Sequence, residues 1–178
     1  SSPLLDLYIL RHAKSSWKDE ALDDFDRPLN KRGKQNAILM GRYLRDAKLS
    51  PDMVLCSRAK RCKQTLKALL AEGFCVDQQV FLNKLYLASS SELICEIQKT
   101  SNLIRSLMII GHNPGLESLL HLLIQDKTNS EFLTIASKFP TCAFVHIQID
   151  TDCWTKLAPN SGTLYCTFTP KQHLSQDD

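Results

Sequence analysis

The sequence lacks the features that mark a membrane protein, a disulfide framework or a zinc site. It has no apolar run long enough to cross a bilayer and no signal-peptide pattern. Its 7 cysteines are odd in number, scattered and never spaced as Cys-x-x-Cys. We therefore expect a cytoplasmic protein without a membrane partner, a metal site or disulfides, in which most thiols are buried.

Internal repeats, low-complexity tracts and a strong charge of one sign are also missing. The formal net charge is only +3 over 178 residues, too small to attract nucleic acid through a dense basic face. Hydrophobic residues make up 43% of the chain, enough to bury a substantial core. This composition predicts one domain over residues 1–178 and no nucleic-acid partner.

The most informative stretch is an apolar run that ends in two polar side chains. Residues 7–10 predict a buried strand, and Arg11 and His12 follow it directly. Because ligands of parallel sheets bind outside the carboxyl ends of the strands, both side chains would project toward a ligand. Taken alone, the pair is better explained by a partly exposed histidine at a strand end.

A second apolar run, residues 106–110, ends in the same way. It leads into Gly111-His112-Asn113-Pro114 and then into leucines at helical spacing. Two such strands could place His12 and His112 face to face in one pocket without a metal. A histidine nucleophile needs a second group that handles protons and a positive cradle for a phosphoryl group, to which Arg11 would contribute.

Residues 53–57 predict a third strand, followed by a helix that begins with several cations. Arg58, Lys60 and Arg61 lie in its first turn. Cations are unfavourable at a helix amino terminus unless an anion sits among them, so the segment predicts a phosphate-like ligand. A solvated basic helix face explains the same residues when the segment is considered alone.

Together these segments resemble the histidine phosphatase superfamily, and most closely its small SixA-like branch of phosphohistidine phosphatases. Leu10–Ala13 corresponds to the Arg-His-Gly signature, with alanine in place of glycine. Asp24–Gly33 resembles the loop and helix start, and Ser57–Thr65 the Ser-x-x-x-Arg-x-x-x-Thr element. Gly111–Pro114 is similar to the second histidine motif. The four motifs occur in the family's order and cover most of the chain.

The resemblance implies roles for particular residues. His12 would attack phosphorus and become phosphorylated, while Arg11, Arg61 and His112 would hold the phosphoryl oxygens, with no metal or cofactor. The catalytic arginine maps to Arg61 and not to Arg58. A planar guanidinium suits this role because it can bind two oxygens at once. The attacking nitrogen of His12 must be unprotonated, so the other ring nitrogen should donate to a backbone carbonyl.

In the family, the segment after the first histidine lines the substrate mouth. Lys14, Ser15 and Lys18 would then contact phosphate or the rest of the substrate, and Asn113 would do so from the second motif. A solvated basic turn with Trp17 packed beneath it explains the first three residues equally well.

The sequence offers no evident general acid. Larger superfamily members carry one in the region that corresponds to residues 81–92, where this chain has no acid before Glu92. Glu92 is better explained as part of a capping box at a helix start. A neutral imidazole leaves with much less proton donation than an alkoxide needs. We therefore expect a phosphatase acting on a protein phosphohistidine.

Two alternatives remain open. A small phosphorylated metabolite, an ester or a phosphoanhydride, could be the substrate instead of a phosphoprotein. The chain could also be a binding module that kept the anion cradle without turnover, although mere binding does not need an unprotonated nucleophile. The absence of an insertion large enough for a substantial lid favours a phosphoprotein.

The order of the predicted elements indicates the fold. Strands alternate with helices up to the helix predicted at residues 116–125, and alternating apolar runs at 143–149 and 162–168 close the chain. This order predicts a three-layer α/β/α sandwich whose mostly parallel central sheet carries one antiparallel edge strand. Asn30 is expected to cap a helix that extends to Asp46.

Overall fold

The computed structural model describes residues 4–170, in which strands and helices alternate along most of the chain. The strands are β1 (Leu5–Arg11), β2 (Met53–Ser57), β3 (Gln78–Leu82), β4 (Ser106–Gly111), β5 (Phe144–Ile149) and β6 (Gly162–Phe168). The helices are α1 (Lys31–Asp46), α2 (Lys60–Ala71), α3 (Ser90–Gln98), α4 (Gly115–Leu123) and α5 (Ser130–Ser137). That residues 1–178 form one domain stays a prediction.

The strands of this range form one six-stranded sheet in the order β3-β2-β4-β1-β5-β6. The first four are parallel, whereas β5 runs antiparallel to β1 and β6 antiparallel to β5. The predicted fold class is confirmed, because the sheet is mostly parallel and its edge strand β6 pairs antiparallel with β5. Consecutive strands joined by a short connection pair antiparallel, so β6 adds outside β5.

Helices cover both faces of the sheet. Successive strand residues point to opposite faces, so Leu7 and Ile9 of β1 pack toward α3, α4 and α5, whereas Tyr8 and Leu10 pack toward α1 and α2. All of these side chains are buried. Burying one such side chain stabilises the fold by about 2 kcal/mol, and a one-residue slip of β1 would move each of them to the wrong face.

Side-chain caps fix the starts of α1 and α3, as the sequence predicts. The Asn30 side chain accepts a hydrogen bond from the Gly33 amide at 2.7 Å. Ser89 and Glu92 form a reciprocal capping box. Glu92 is therefore engaged at a helix start and does not enter the site described below.

The register of β1 and β4 brings the two histidine motifs together. Arg11 pairs with Gly111 at the carboxyl ends of these parallel neighbours. The His12 amide then donates to the Gly111 carbonyl at 3.2 Å. His12 and His112 are consequently the first residues beyond two adjacent strands. Ser57 ends β2, which pairs with the other side of β4.

None of the helices within residues 4–170 combines the length and hydropathy that a membrane span requires.

Gly33 contacts the segment that follows the first histidine. A β-carbon at this position would lie 2.0 Å from the Lys14 carbonyl oxygen. The same oxygen accepts a hydrogen bond from the Asn30 amide at 3.0 Å. Only glycine allows this approach, which holds the start of α1 against the chain beside the site.

We expect Gly33→Ala to destabilise the protein. In an unobstructed helix this substitution stabilises by about 1 kcal/mol, but a methyl group forced into a closely packed position costs about 1–3 kcal/mol. Contact with a backbone oxygen, which cannot rotate away, makes the second effect dominate. Urea denaturation should therefore show a lower free energy of unfolding than in the wild type.

Gly111→Ala is the matched control, since its β-carbon would meet only the Leu116 side chain, at 3.7 Å. It should change stability less than Gly33→Ala. Wild-type stability of the Gly33 variant would contradict the tight packing of α1 against Lys14.

Candidate active site

A cavity of about 300 Å³ opens beside the carboxyl ends of β1 and β4. All of the predicted site residues except Lys18 line it. The lining consists of Arg11, His12, Lys14, Ser15, Trp17, Asp24, Arg27, Arg61, Leu87, His112, Asn113 and Thr141. The centres of the His12 and His112 rings are 5.2 Å apart, with the ring planes inclined at 54°.

A backbone hydrogen bond orients the His12 ring. Nδ1 lies 2.7 Å from the carbonyl oxygen of Ala13. A carbonyl can only accept, so Nδ1 carries the proton and Nε2 keeps a lone pair. Nε2 in turn accepts from the Arg61 Nε at 3.3 Å. The expected orienting carbonyl therefore belongs to the residue that follows His12.

Donor and acceptor chemistry also fixes the tautomer of His112. Its Nδ1 lies 3.4 Å from the Arg61 Nη2, which can only donate, so Nδ1 is the acceptor. Nε2 then carries the proton and donates to the Ser57 hydroxyl at 2.8 Å. The Cys62 sulfur lies 3.4 Å from the same nitrogen. Burial raises the pKa of the Cys62 thiol to about 12, so it remains protonated.

Both histidines are buried and neutral at physiological pH. Burial lowers the pKa of His12 to about 3, against the hydrogen bond to Ala13, and the neighbouring His112 and Arg61 lower it further. Burial likewise lowers the pKa of His112 to about 3, with the Arg61 charge adding to the effect and Asp24 opposing it. An unprotonated His12 Nε2 is the state that a nucleophile requires.

Arg61 connects the two histidines to a carboxylate that the sequence analysis missed. Its Nη2 donates to the Asp24 carboxylate at 2.9 Å and its Nη1 donates to the Asp24 carbonyl at 2.6 Å. Tyr86 donates to the same carboxylate at 2.5 Å, and Arg27 at 2.6 Å. Arg61 is 4% exposed, so its charge depends on these partners.

The hydrogen bonds determine the charge of Asp24. Burial by itself would raise its pKa, but hydrogen bonds from Tyr86, Arg61 and Arg27 and the charge of Arg61 outweigh that effect and lower the pKa to about 2. Asp24 is therefore ionised at neutral pH. In this geometry it holds Arg61 in place and has no proton to give to a leaving group.

Comparisons with known proteins show to which family the chain belongs. The model of the histidine phosphatase superfamily (branch 1) matches residues 7–80. A candidate phosphohistidine phosphatase SixA from Agrobacterium tumefaciens superposes with a TM-score of 0.77 at 28% identity, covering 96% of this chain and 100% of that chain. The chain belongs to the histidine phosphatase superfamily.

Two further proteins are similar over most of their length. A candidate SixA from Nakamurella multipartitia has the same fold, with a TM-score of 0.80 at 24% identity over 96% of that chain and 94% of this one. An uncharacterized chloroplastic protein of Arabidopsis thaliana is 36% identical over 166 residues, which are 88% of this chain and 72% of that protein. The expected SixA-like branch of the superfamily is supported by the Agrobacterium tumefaciens structure at 28% identity.

The three residues of the superfamily's Ser-x-x-x-Arg-x-x-x-Thr element have different roles in this structure. Ser57 orients His112, and Arg61 points into the cavity. The Thr65 hydroxyl accepts from the Ala13 amide at 3.0 Å and donates to the Arg61 carbonyl at 2.7 Å. Arg61 and Thr65 lie on one helix face because they are four residues apart. This spacing was the signal from which the role of Thr65 could have been inferred.

The predicted substrate contacts divide into three groups. Lys14 lines the cavity. Ser15 and Asn113 line it too, but Ser15 accepts from Arg27, and the Asn113 amide donates to the Phe139 carbonyl at 2.8 Å. These two side chains therefore help to hold the walls. Lys18 is exposed and lies outside the lining, so the structure does not bring it to the site.

Trp17 is not packed beneath a turn, as one interpretation of the sequence held. It is 73% exposed at the rim of the cavity. The Arg27 guanidinium lies over its ring, 3.3 Å from the ring centre. Because Arg27 is held by Asp24 and Ser15, the indole stacks on a fixed cation instead of entering the core.

The neutral histidines predict a loss of stability in acid. Their folded pKa values of about 3 lie below the unfolded value of about 6.5. Between these values the unfolded chain binds protons that the folded protein does not, so the free energy of unfolding falls as pH falls. From pH 8 to pH 5 the loss should reach about 2 kcal/mol for each histidine.

Urea denaturation between pH 5 and pH 8 measures this effect. The His12→Asn/His112→Asn double variant should lose less stability across that range than the wild type, whatever its stability at pH 8. Equal pH dependence in the two proteins would contradict neutral, buried imidazoles.

Proposed function

We propose that this superfamily member removes a phosphoryl group from a protein phosphohistidine through a covalent intermediate on His12. The observation that carries the proposal is a buried imidazole whose Nδ1 is fixed by a carbonyl and whose Nε2 accepts from a guanidinium, with the centre of a second imidazole ring 5.2 Å from its own. A neutral nucleophile aimed into a cationic cavity suits attack on phosphorus.

The guanidinium groups bind the phosphoryl oxygens first. Arg61 already directs Nε at the position of the nucleophile, 3.3 Å from His12 Nε2. A phosphoryl oxygen placed there would accept that hydrogen bond and release the lone pair of His12. Arg11 lines the same cavity and supplies a second positive group. Both guanidinium groups stabilise the negative charge on the phosphoryl oxygens in the transition state.

Transfer of the phosphoryl group then forms one bond to phosphorus and breaks another. The Nε2 lone pair of His12 forms a bond to phosphorus, and the P–N bond of the substrate breaks toward the substrate imidazole. The substrate ring reacts with its other nitrogen already protonated, so its imidazole keeps that proton, takes the electron pair of the broken P–N bond and leaves neutral without a further acid. The ionised Asp24 is consistent with such a leaving group.

His112 could become protonated when the negatively charged phosphoryl group binds. A phosphoryl group between the rings would oppose the burial and the Arg61 charge that lower its pKa. A proton taken up on Nδ1 would let His112 donate to a phosphoryl oxygen while Nε2 still donates to Ser57.

Water completes the reaction. It attacks the phosphorus of phosphorylated His12, the P–N bond breaks and its electron pair returns to Nε2. Inorganic phosphate leaves with the protons of the attacking water, and His12 returns to the neutral state.

Cytoplasmic location and the absence of nucleic-acid and membrane partners stay predictions.

A labelling experiment with an alkaline quench tests the intermediate. Incubation with a ³²P-labelled phosphohistidine protein should give a transient, acid-labile and base-stable label on the wild type, which His12→Ala abolishes. Turnover should be faster with the phosphohistidine protein than with a panel of small phosphate esters. His121→Ala is the matched control, because His121 lies on α4 and bonds to the Ala136 carbonyl instead of lining the cavity.

Each failure has a separate meaning. Equal turnover by His12→Ala and the wild type would remove the mechanism. Faster turnover of the small esters would reject the phosphoprotein substrate but keep the intermediate. Tight binding of the phosphoprotein without release of phosphate would indicate a binding module.

Arg61→Lys should lower kcat by about 100-fold or more, the usual effect of removing one pre-positioned donor from a transition-state oxyanion. Lysine keeps the charge but loses the fork that contacts Asp24 and both histidines. Steady-state kinetics with the phosphohistidine protein measures the change.

Arg58→Lys is the matched control at the same helix start. Arg58 is exposed and its Nε donates to the Phe81 carbonyl at 3.2 Å, outside the cavity lining. We expect its kcat to stay within about twofold of the wild type, since exposed surface contacts contribute little. Because lysine keeps the charge, an unchanged kcat in Arg61→Lys would argue that the helix start acts through charge alone. Similar losses in both variants would contradict a specific role for Arg61.

A further inference from the structure

A second cavity, of about 200 Å³, adjoins the catalytic one. The two share Arg11, Lys14 and Thr141 in their linings, so they are contiguous along one wall. The second cavity extends from that wall to Arg32 near the start of α1 and to Lys138 just after α5. None of the mechanistic steps above uses Arg32 or Lys138.

The lining of the second cavity is strongly cationic. Arg11, Lys14, Arg32 and Lys138 all contribute to it, and no described acidic side chain does. These residues come from three separate parts of the chain, so the charge is gathered by folding and is not a run in the sequence. A cavity lined mainly by cations attracts anions from solution.

The wall of this cavity also contains buried polar atoms that have no hydrogen-bond partner among the described residues. Arg11 is anchored by donation from Nη1 to the Phe139 carbonyl at 3.1 Å, while its buried Nε has no partner among the described residues. Asn36 is 6% exposed, and its Oδ1 likewise has no partner there. Buried polar atoms are nearly always paired, and each exception calls for an explanation. An oxyanion could accept from the Arg11 Nε, and one that also carries a hydroxyl could donate to the Asn36 Oδ1 as well.

We propose that this cavity binds a second oxyanion carried by the substrate itself. The inference rests on the proposed function, in which the first oxyanion is the phosphoryl group held between His12 and Arg61. Arg11 would lie between the two groups. The preferred substrates would then carry a phosphate or carboxylate next to the phosphoryl group that is transferred. The shared wall favours one ligand with two anionic groups over an independent anion.

Binding measurements on His12→Ala test this without turnover. Isothermal titration calorimetry at a fixed ionic strength of about 0.1 M, which screens distant charges, would compare orthophosphate with tripolyphosphate. We expect one tripolyphosphate per chain, bound at least tenfold more tightly than orthophosphate and displaced by it.

The decisive variant adds Arg32→Gln and Lys138→Gln to the same background. Tripolyphosphate should bind about tenfold more weakly to it, with a loss of less than about threefold for orthophosphate, because only the longer anion reaches these side chains. The matched control adds Lys34→Gln and Lys67→Gln, which remove two exposed cations from the groove between α1 and α2. It should preserve the preference for tripolyphosphate.

Three results would overturn the inference. They are an unchanged preference in the Arg32/Lys138 variant, an equal loss in the control variant, and two independent orthophosphate sites with no gain for tripolyphosphate. The last result would mean a separate anion site. Failure of the proposed function would look different, since it would remove the labelled His12 intermediate and leave these binding constants intact.

To learn whether the second oxyanion is a phosphate or a carboxylate, turnover of phosphohistidine peptides with aspartate or asparagine beside the histidine can be compared in the wild type. A preference for aspartate that Arg32→Gln/Lys138→Gln removes identifies a protein carboxylate. No such preference, together with selective tripolyphosphate binding, identifies a phosphate. Both outcomes support a second oxyanion on the substrate.

Discussion

The parallel pairing of β1 with β4 is the constraint on which the site depends. Its last pair joins Arg11 to Gly111, so the chain leaves two adjacent strands at the same level with a histidine at each exit. Apolar side chains on both faces of β1 hold that register, because a slip would expose one core and bury the wrong residues in the other. The geometry of the site is thus stabilised by hydrophobic packing that contains none of the polar groups of the site.

Around this pairing, the structure keeps the imidazoles neutral and the guanidinium charged in the same small volume. Burial and the neighbouring cations disfavour protonated histidine, whereas the carboxylate and the carbonyl of Asp24 accept hydrogen bonds from Arg61, and Tyr86 donates to that carboxylate. The donors are in place before a ligand arrives. A pre-organised site of this kind avoids reorientation during the reaction, which is the main source of electrostatic catalysis.

Helix α2, which starts with cations, shows what local sequence specifies and what tertiary contacts add. Its spacing predicts that Arg61 and Thr65 share a face, and they do. The hydrogen-bond partners of that face lie in distant parts of the chain. The Thr65 hydroxyl accepts from the Ala13 amide, and Arg61 donates to the Asp24 carboxylate. Asp24 lies in an acidic loop whose pattern resembles any solvated turn, which is why its role was missed. Trp17 was unpredictable for the same reason, because its stacking depends on an arginine fixed by distant groups.

The sequence by itself determined the alternation of strands and helices, the capped helix starts and the residues that end the central strands, because each is encoded in periodicity or short spacing. Only the tertiary structure decided which nitrogen of each histidine is protonated, which carboxylate holds Arg61 and which side of β5 receives β6. These features depend on pairs of groups far apart in the chain, and their energies arise from burial and hydrogen bonds that exist only once the chain has folded.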